Sequence, residues 1–277
     1  MNNTIELLTE YSLKPNKALG QNFLIDEEAI DRIVSLAAEA GLPVLEIGPG
    51  LGALTFPLAG TGVKLAAVEL DKALSEILAE RLPENASVIN RDFLKADLGN
   101  IHSLLGGGEL TAIGNLPYYI TSDIMMRLIT SGLPIRRMVI MTQREAADRF
   151  TARPGDRNYV PLSVLSQRYF TVTAAFDLSP ASYWPQPEVA SRVTVFDRNG
   201  IGFDESFPRF LKCAFAMRRK TLANNLAALG VSRAEAAALI EKAGLSPSVR
   251  AEALGVDTLA GLCESALETH AGNQDAR

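Results

Sequence analysis

The sequence has few of the residues on which several common kinds of site depend. Its 277 residues include two cysteines, Cys213 and Cys263, which lie far apart and have no CxxC partner. A disulfide framework or a structural zinc site is therefore not expected, and the cytoplasm fits this cysteine usage. The two histidines, His102 and His270, are too few for His-dependent triads or His-rich metal sites. We accordingly expect no metal.

Long apolar segments are also missing. No run reaches the eighteen or so apolar residues that a membrane span needs, and the first residues, MNNTIELLTEYSLKPNK, lack the apolar stretch of a signal peptide. We therefore expect no membrane partner. With 32 acidic and 27 basic residues the net charge is −5, which argues against a general nucleic-acid binder unless the basic residues are clustered.

Strand and helix patterns alternate through the first two-thirds of the chain. The short apolar runs VLEI, LAAVEL, SVIN, LTAIGN and RRMVIMTQ are each followed by a helical pattern. This alternation predicts parallel βαβ units in a doubly wound sheet, where ligands bind at the carboxyl ends of the strands. Gly48, Glu69, Asp92 and Asn115 would then lie on four neighbouring loops.

The pattern changes near Gly200. Three helical segments follow without intervening strands: FPRFLKCAFAMRRKTLANNLAALG, VSRAEAAALIEKAG and VDTLAGLCESALE. We therefore predict an N-terminal arm over residues 1–25, a catalytic α/β domain over 26–200 and a small all-α domain over 201–277.

The glycine-rich turn Gly48–Gly52 follows the first parallel strand and is predicted to open a helix, where backbone N–H groups favour polar or anionic ligands. Glu69, about twenty residues further on, suits ribose hydroxyls. An NAD site would share these features. Glu46 inside the strand and Asp92 after the third strand favour S-adenosylmethionine (SAM), with Asp92 holding the adenine amine. For Asp92, a helix N-cap before FLKADL is nearly as good an interpretation.

The stretch IGNLPYYIT, residues 113–121, follows the fourth strand and suggests methyl transfer to an adenine N6 amine. That amine is a poor nucleophile because its lone pair is delocalised into the ring. The Asn115 side-chain oxygen and the Leu116 carbonyl can accept its two hydrogens, and Tyr118 can stack on a base swung out of its helix. The alternative is that Pro117 and the tyrosines only turn the chain, but their place beside the other three sites favours catalysis.

These motifs resemble the ribosomal RNA adenine N6,N6-dimethyltransferases of the small subunit, the KsgA type. The resemblance covers nearly the whole chain and is carried by KALGQNFL, VLEIGPGLGALT, VELD, RD at 91–92, NLPYYIT, TQREAADRF, YWPQPEVAS and RRKTLANNL. It implies a Rossmann-like SAM-dependent methyltransferase sheet of seven mostly parallel strands, with one strand reversed near the end of the sheet. TVTAAFDL and SRVTVF are the candidates for its last two strands.

The resemblance also implies roles for individual residues. Asn22 and Leu24 would cover the methionine end of SAM, above Gly48, and Gly50 belongs to the same site. Asn115 would be shared between cofactor and target base. The implied reaction is dimethylation of two adjacent adenosines near the 3′ end of 16S rRNA, in the small subunit or its precursor, by a monomeric enzyme that also contributes to subunit maturation.

Two positions depart from the family pattern. Tyr183 stands where the family commonly has a phenylalanine that flanks the target base, so stacking should survive while the added hydroxyl needs a partner. Val160 stands where the family commonly has glycine, which puts the expected local turn in doubt.

Arginines and lysines concentrate in three stretches, which predicts a phosphate-tracking surface. They are Arg127, Arg136, Arg137, Arg144, Arg149, Arg153, Arg157 and Arg168; Arg209, Lys212, Arg218, Arg219 and Lys220; and Lys14 and Lys17. Arg144, Arg218, Arg219 and Lys220 are the predicted RNA contacts.

Two other functions remain open at this stage. A macrolide-resistance enzyme that methylates large-subunit rRNA shares GQNF and a similar Asn-aromatic motif, although the RRKTLANNL and YWPQPEVAS segments favour the small subunit. A non-catalytic ribosome-assembly factor is the alternative of another class, and the complete Asn115–Tyr118 motif argues against it. A DNA adenine methyltransferase is disfavoured because no separate sequence-reading domain is visible.

Overall fold

The computed structural model describes residues 3–11, 13, 15–16 and 19–274. Its strands are β1 Phe23–Leu24, β2 Val44–Ile47, β3 Leu65–Glu69, β4 Ala86–Asn90, β5 Leu110–Asn115, β6 Ile135–Gln143, β7 Phe170–Leu178, β8 Tyr183–Trp184 and β9 Ser191–Arg198. Its helices are α1 Asn3–Glu10, α2 Glu27–Ala38, α3 Thr55–Gly60, α4 Lys72–Arg81, α5 Leu98–Leu104, α6 Thr121–Thr130, α7 Arg144–Phe150, α8 Pro161–Tyr169, α9 Ser206–Ala214, α10 Leu222–Leu226, α11 Arg233–Lys242 and α12 Val256–Gln274. Within these residues no helix is both long and apolar enough to cross a membrane.

Seven strands form one sheet in the order β4-β3-β2-β5-β6-β9-β7. The pairs β2–β3, β2–β5, β3–β4 and β5–β6 are parallel, whereas β9 runs antiparallel to β6. Residues of β2 and β3 are buried throughout, as expected for parallel strands covered on both faces. The predicted seven-stranded, mostly parallel sheet is therefore confirmed, and the two predicted final strands are β7 and β9.

The helix α2 shows how local sequence sets this architecture. Asp26 caps its N-terminus, since the Asp26 carboxylate accepts a hydrogen bond of 3.1 Å from Ala29 N. Ile30, Ile33 and Ala37 recur at helical spacing and are buried against the sheet in one apolar cluster.

The parallel register brings the ends of neighbouring strands together. Ile47 of β2 pairs with Val68 of β3 on one side and with Gly114 of β5 on the other. Gly114 is required by this approach, because a Cβ there would lie 2.8 Å from Ile47 O. The loops after Ile47, Glu69 and Asn115 consequently open at one edge of the sheet.

A second, two-stranded sheet was not predicted. β1 and β8 pair antiparallel, with Phe23 opposite Trp184 and Leu24 opposite Tyr183. Strands of two residues carry no detectable periodicity, so only the folded chain reveals that the GQNFL and YWPQP motifs meet.

Contacts between residues divide the chain into two compact units. The first contains residues up to Ala147 together with Thr171–Asn199, and the second contains Asp148–Phe170 together with the chain from Gly200. The break near Gly200 lies where the sequence places it, but the segment 148–170 differs from the predicted division. It joins the helical unit because Tyr159 is buried there, donating a 2.9 Å hydrogen bond to Leu254 O.

Val160 does not strain this segment. It precedes α8 with φ −139° and ψ 170°, an extended conformation open to any residue. Its N–H donates to the Ser163 hydroxyl at 3.1 Å, which helps to start the helix. The doubt about the local turn that arose from the missing glycine is thereby resolved.

Candidate active site

A large cleft lies at the carboxyl edge of the sheet in the first unit, with about 1020 Å³ of space not filled by protein atoms. Its walls come from the Gly48–Leu51 turn, from the ends of β3 and β4 and from the N-terminal segment around Asn22. Asn115 lines this cleft. The six other predicted cofactor residues line it as well: Asn22, Leu24, Gly48, Gly50, Glu69 and Asp92.

The glycine turn forms the floor of the cleft, and its N–H groups are used within the protein: Gly48 N donates to Val68 O at 3.0 Å and Gly50 N to Glu69. Gly48 and Gly50 have φ values of +66° and +60°, which side-chain-bearing residues rarely adopt. The predicted helix does not start at the glycines: α3 begins only at Thr55 and has six residues. The floor of the cleft is therefore made by the turn itself and not by a helix N-terminus.

Glu69 is held in place by two backbone donors. One carboxylate oxygen accepts from Gly50 N at 3.0 Å and the other from Asp71 N at 2.8 Å. Burial raises the pKa of Glu69, and the hydrogen bonds from Asp71 and Gly50 oppose that rise by favouring the carboxylate. The geometry joins β3 to the glycine turn and presents a fixed acceptor to the cleft.

Asp92 serves as a cap and lines the cleft at the same time. One of its carboxylate oxygens accepts from Leu94 N at 2.9 Å, which caps the 3-10 turn Phe93–Lys95. Lys95 Nζ lies 3.6 Å from the other oxygen. The two interpretations of Asp92 left open by the sequence are thus compatible, and only the capping role is visible in the free protein.

Glu46 is the second acid buried in this cleft. Its side chain is almost fully buried in β2, and Oε2 has no hydrogen-bond partner among the described residues. Burial raises the pKa of Glu46 to about 8, the Thr55 hydroxyl lowers it in part, and the charge of Glu69 raises it further. The Thr55 hydroxyl influences the carboxyl from nearby without forming a hydrogen bond of normal geometry.

A smaller pocket of about 310 Å³ adjoins the first cleft. All five predicted catalytic residues line it: Asn115, Leu116, Pro117, Tyr118 and Tyr183. Leu116 is fixed by a hydrogen bond of 2.9 Å from its N–H to Met141 O. The Tyr118 side chain is half exposed at 42%, whereas Tyr183 is buried at 2%. We call this cavity the base pocket and the larger one the cofactor cleft.

Asn22 connects the two cavities. Its side-chain amide donates to Gly20 O and to the Tyr118 hydroxyl, both at 3.1 Å. Its own carbonyl accepts from the Asn115 side-chain amide at 3.2 Å. With the Asn115 nitrogen engaged in this way, the amide is oriented and its oxygen is left as the acceptor for a ligand.

Comparison with known proteins identifies the family to which the chain belongs. The profile described as "Ribosomal RNA adenine dimethylase" matches residues 12–266. The chain is 42% identical to the ribosomal RNA small subunit methyltransferase A of Acidobacterium capsulatum over 257 residues, covering 90% of each chain. The chain belongs to the ribosomal RNA adenine dimethylase family.

Solved structures agree with this assignment at the level of the fold. A dimethyladenosine transferase from Plasmodium falciparum superposes with a TM-score of 0.69 at 20% identity, covering 87% of this chain and 95% of that one. The 23S rRNA methyltransferase ErmE has a TM-score of 0.62 at 25% identity, with coverage of 88% and 98%.

The methyl donor of this dimethylase family is SAM, so the predicted cofactor is confirmed. The cofactor cleft suits it on chemical grounds. Glu69 provides a buried acceptor for hydroxyl groups, and Glu46 is a buried acid with an unpartnered oxygen that a polar group of the ligand would satisfy. Among the described residues no group of three His, Cys, Asp or Glu side chains is arranged to hold a metal ion.

Several arginines of the predicted phosphate-tracking surface are engaged within the dimethylase itself. Arg127 donates to Leu94 O at 2.6 Å and to Ala96 O at 2.5 Å. Arg137 bonds to Glu39 and Asp197. The prediction of a free basic surface was wrong for these two residues, because the sequence count ignored carbonyls and acids brought in from elsewhere in the fold.

The four predicted RNA contacts are more accessible. Arg144 is 61% exposed and lies 3.7 Å from an Asp177 oxygen. Arg218, Arg219 and Lys220 are all exposed in the helical unit, where Arg218 also donates to Arg157 O at 3.2 Å. Lys14 and Lys17 lie outside the described residues.

The sequence reasoning missed some residues around both cavities. Thr4 of α1, in the predicted N-terminal arm, lines the cofactor cleft, and Tyr119 lines it beside Pro117. Gln143 and Ser191 line the base pocket from β6 and β9. Gln143 lies in TQREAADRF and Ser191 ends YWPQPEVAS, so the motifs contained the signal without indicating which side chains face the pocket.

Proposed function

We propose that this dimethylase transfers methyl groups from SAM to the N6 amines of two adjacent adenosines near the 3′ end of 16S rRNA, in the small subunit or its precursor. The observation that carries the proposal is the position of Asn115. It lines both the cofactor cleft and the base pocket, at the point where a methyl group must pass from one to the other.

The cofactor cleft binds SAM through residues on four loops. Glu69 accepts hydrogen bonds from the ribose hydroxyls, and Asp92 receives the adenine amine with the oxygen that its cap leaves available. The backbone at Gly48 and Gly50 and the segment Asn22–Leu24 enclose the methionine end. Bound there, SAM supplies an electrophilic methyl sulfonium.

The base pocket makes the target amine nucleophilic. The Asn115 side-chain oxygen and the Leu116 carbonyl accept its two hydrogens, which draws the nitrogen towards tetrahedral geometry and frees its lone pair. Tyr118 holds the flipped base by stacking, Tyr183 forms part of the pocket wall beside it, and Pro117 fixes the turn that precedes Tyr118. No general base with a tuned pKa is needed before attack, since the proton leaves afterwards.

The exposed cations serve the RNA backbone. Arg144 in the first unit is exposed although it lies 3.7 Å from Asp177, and Arg218, Arg219 and Lys220 in the second unit are exposed, so phosphate contacts cost these side chains little desolvation. The helical unit therefore contributes to the choice of substrate and to a role in subunit maturation.

The second candidate is a large-subunit enzyme. It is favoured by the similarity to a protein named as a 23S rRNA methyltransferase, over nearly the full length of that structure. The small-subunit function is supported by the higher identity to proteins named small subunit methyltransferase A, which reaches 42%.

One experiment separates these functions. The purified protein receives labelled SAM with under-methylated small subunits and, separately, with naked large-subunit RNA, and nucleoside mass spectrometry identifies the product. Dimethyladenosine near the 3′ end of the small-subunit RNA alone is the expected result. Label in the large-subunit RNA would indicate the second candidate. SAM binding without label in either RNA would favour a non-catalytic assembly factor.

A further inference from the structure

The hydroxyl of Tyr183 is buried without a hydrogen-bond partner. Only 2% of this residue is exposed, and its Oη forms no hydrogen bond within the part of the chain that the structure describes. Ser191, Tyr118 and Asp26 lie near enough to affect its ionisation, but none forms a bond of normal geometry with it. A buried phenol usually has a partner, so this hydroxyl destabilises the free protein.

The position of the ring is fixed by the fold. Tyr183 opens β8 and pairs with Leu24 of β1, and its side chain belongs to the same apolar cluster as Leu24 and Val193. The residue also lines the base pocket, next to Asn115 and Tyr118. The ring is therefore immobilised by packing, and its hydroxyl lies close to Ser191 and Tyr118, which line the pocket that receives the target.

The hydroxyl is a donor under all working conditions. Burial raises the pKa of Tyr183 to about 12, so the phenol keeps its proton. Stacking on a base needs only the ring, and a phenylalanine at this position would stack without creating an unpartnered polar group. The hydroxyl thus has a cost in the free protein that stacking does not explain.

We propose that the Tyr183 hydroxyl donates a hydrogen bond to the edge of the target adenine, at a ring nitrogen, and so fixes the rotation of the base that stacks on Tyr118. This inference rests on the proposed function. Adenine offers N1, N3 and N7 as acceptors, and a bond to one of them satisfies the phenol only when the base is in place. Orientation about the stacking axis determines whether N6 faces Asn115 and Leu116, so Tyr183 acts as a positioning residue.

The first test is Tyr183→Phe. The variant should unfold at a higher temperature than the wild type, because an unpartnered buried hydroxyl is removed. Its kcat/KM for under-methylated small subunits should fall about tenfold, which corresponds to about 1.4 kcal/mol. Its affinity for SAM should not change. Thr194→Val is the matched control, since the Thr194 hydroxyl is also buried and unpartnered but lies outside both cavities; it should raise stability and leave kcat/KM unchanged.

The second test identifies the acceptor. Small subunits are assembled with 1-deaza-, 3-deaza- or 7-deazaadenosine at the target, each replacing one ring nitrogen by C–H. One of the three should slow the wild type by the factor that Tyr183→Phe causes, and combining it with Tyr183→Phe should add no further loss. Full additivity with all three analogues, or unchanged kcat/KM in Tyr183→Phe, would overturn the proposal. Failure of the wild type to methylate unmodified subunits would instead count against the proposed function.

Discussion

The cofactor cleft and the base pocket share Gly20, Asn22, Asn115 and Pro117, yet they are built in different ways. In the larger cleft Glu69 binds the N–H of Gly50, and the buried Glu46 has one oxygen without a partner among the described residues. In the smaller pocket the side-chain amides of Asn22 and Asn115 are hydrogen-bonded, and the buried Tyr183 hydroxyl has no partner among the described residues. The first cavity therefore presents buried carboxyl groups to a ligand, whereas the second presents aromatic rings and amide groups.

This difference has a physical basis. SAM is a small ligand with a fixed set of hydroxyl, amine and carboxylate groups, so acids and backbone N–H groups at strand ends can be arranged for it in advance. A nucleotide that leaves an RNA helix brings its own stacking surface, and the pocket needs mainly flat side chains and two acceptors. Variants of residues that line both cavities, and of residues that line only one, should therefore differ in their effects on SAM binding and on methyl transfer.

Replacement of Asn115, one of the four residues that line both cavities, should have the largest effect on methyl transfer. In Asn115→Ala the target amine loses its side-chain acceptor, so methyl transfer should fall by about a hundred- to a thousandfold or more. SAM binding should weaken only a few-fold, because Glu69 and the glycine turn remain in place. Single-turnover transfer of labelled methyl and calorimetric SAM titration measure the two quantities. Full activity in Asn115→Ala would sink the proposed mechanism.

Glu46 should make the stability of the protein depend on pH. Its folded-state pKa is about 8 against an ordinary value of 4.5, so the folded protein keeps a proton that the unfolded chain releases. The stability that this group contributes is therefore fully present below about pH 4.5 and is lost as pH rises towards about 8, by on the order of 5 kcal/mol. In Glu46→Gln this decline should be reduced. Urea unfolding at pH 5, 6, 7 and 8 measures it, and equal slopes in both proteins would contradict the assignment.

Replacement of Glu69 should affect the binding of SAM in the cofactor cleft and leave the methyl-transfer step unchanged. Glu69→Gln keeps the size of the side chain but removes its charge, which weakens hydrogen bonds to the ribose hydroxyls. We expect the Kd for SAM to rise about ten- to thirtyfold, since a charge-assisted hydrogen bond contributes roughly 1.5–2 kcal/mol. With saturating SAM, the rate of methyl transfer should change little. The exposed Glu76→Gln on α4 is a control for lost charge; a rise in Kd there of the same size would remove the special role of Glu69.

The sequence was sufficient to locate the strand ends that form the cofactor cleft. Short apolar runs, each closed by Gly48, Glu69 or Asn115, identify parallel strands, and parallel strands bring their carboxyl ends to one edge. What it could not show depends on contacts between distant segments. The pairing of Leu24 with Tyr183 joins residues far apart in two-residue strands, and the segment 148–170 packs with helices that begin only at Ser206.

Arg127 is a single side chain whose contacts could not be predicted from the sequence. Its position in an arginine-rich stretch predicts phosphate binding, yet its guanidinium donates to Leu94 O and Ala96 O, more than thirty residues away. These carbonyls belong to the loop that follows Asp92, which lines the cofactor cleft. Charge counts along the chain cannot detect this contact, because carbonyl groups are present at every residue.

The last and smallest effect is expected from Arg127→Lys. A lysine cannot reach both carbonyls with the fixed geometry of a guanidinium, so the loop behind Asp92 should loosen and stability should fall by about 1 kcal/mol. The Kd for SAM should rise about two- to threefold, a smaller change than in Glu69→Gln, because the loop is weakened and no ligand contact is removed.

The dependence of rRNA binding on salt then decides between the two roles of Arg127. A residue that holds a loop leaves the slope of log K against log salt unchanged when it is replaced, whereas loss of a phosphate contact lowers that slope by about one. Because lysine keeps the charge, Arg127→Met provides the stricter comparison, and Arg219→Met on the exposed helical unit is its matched control. An unchanged slope in Arg127→Met beside a reduced slope in Arg219→Met would assign Arg127 to the cofactor cleft and Arg219 to the RNA.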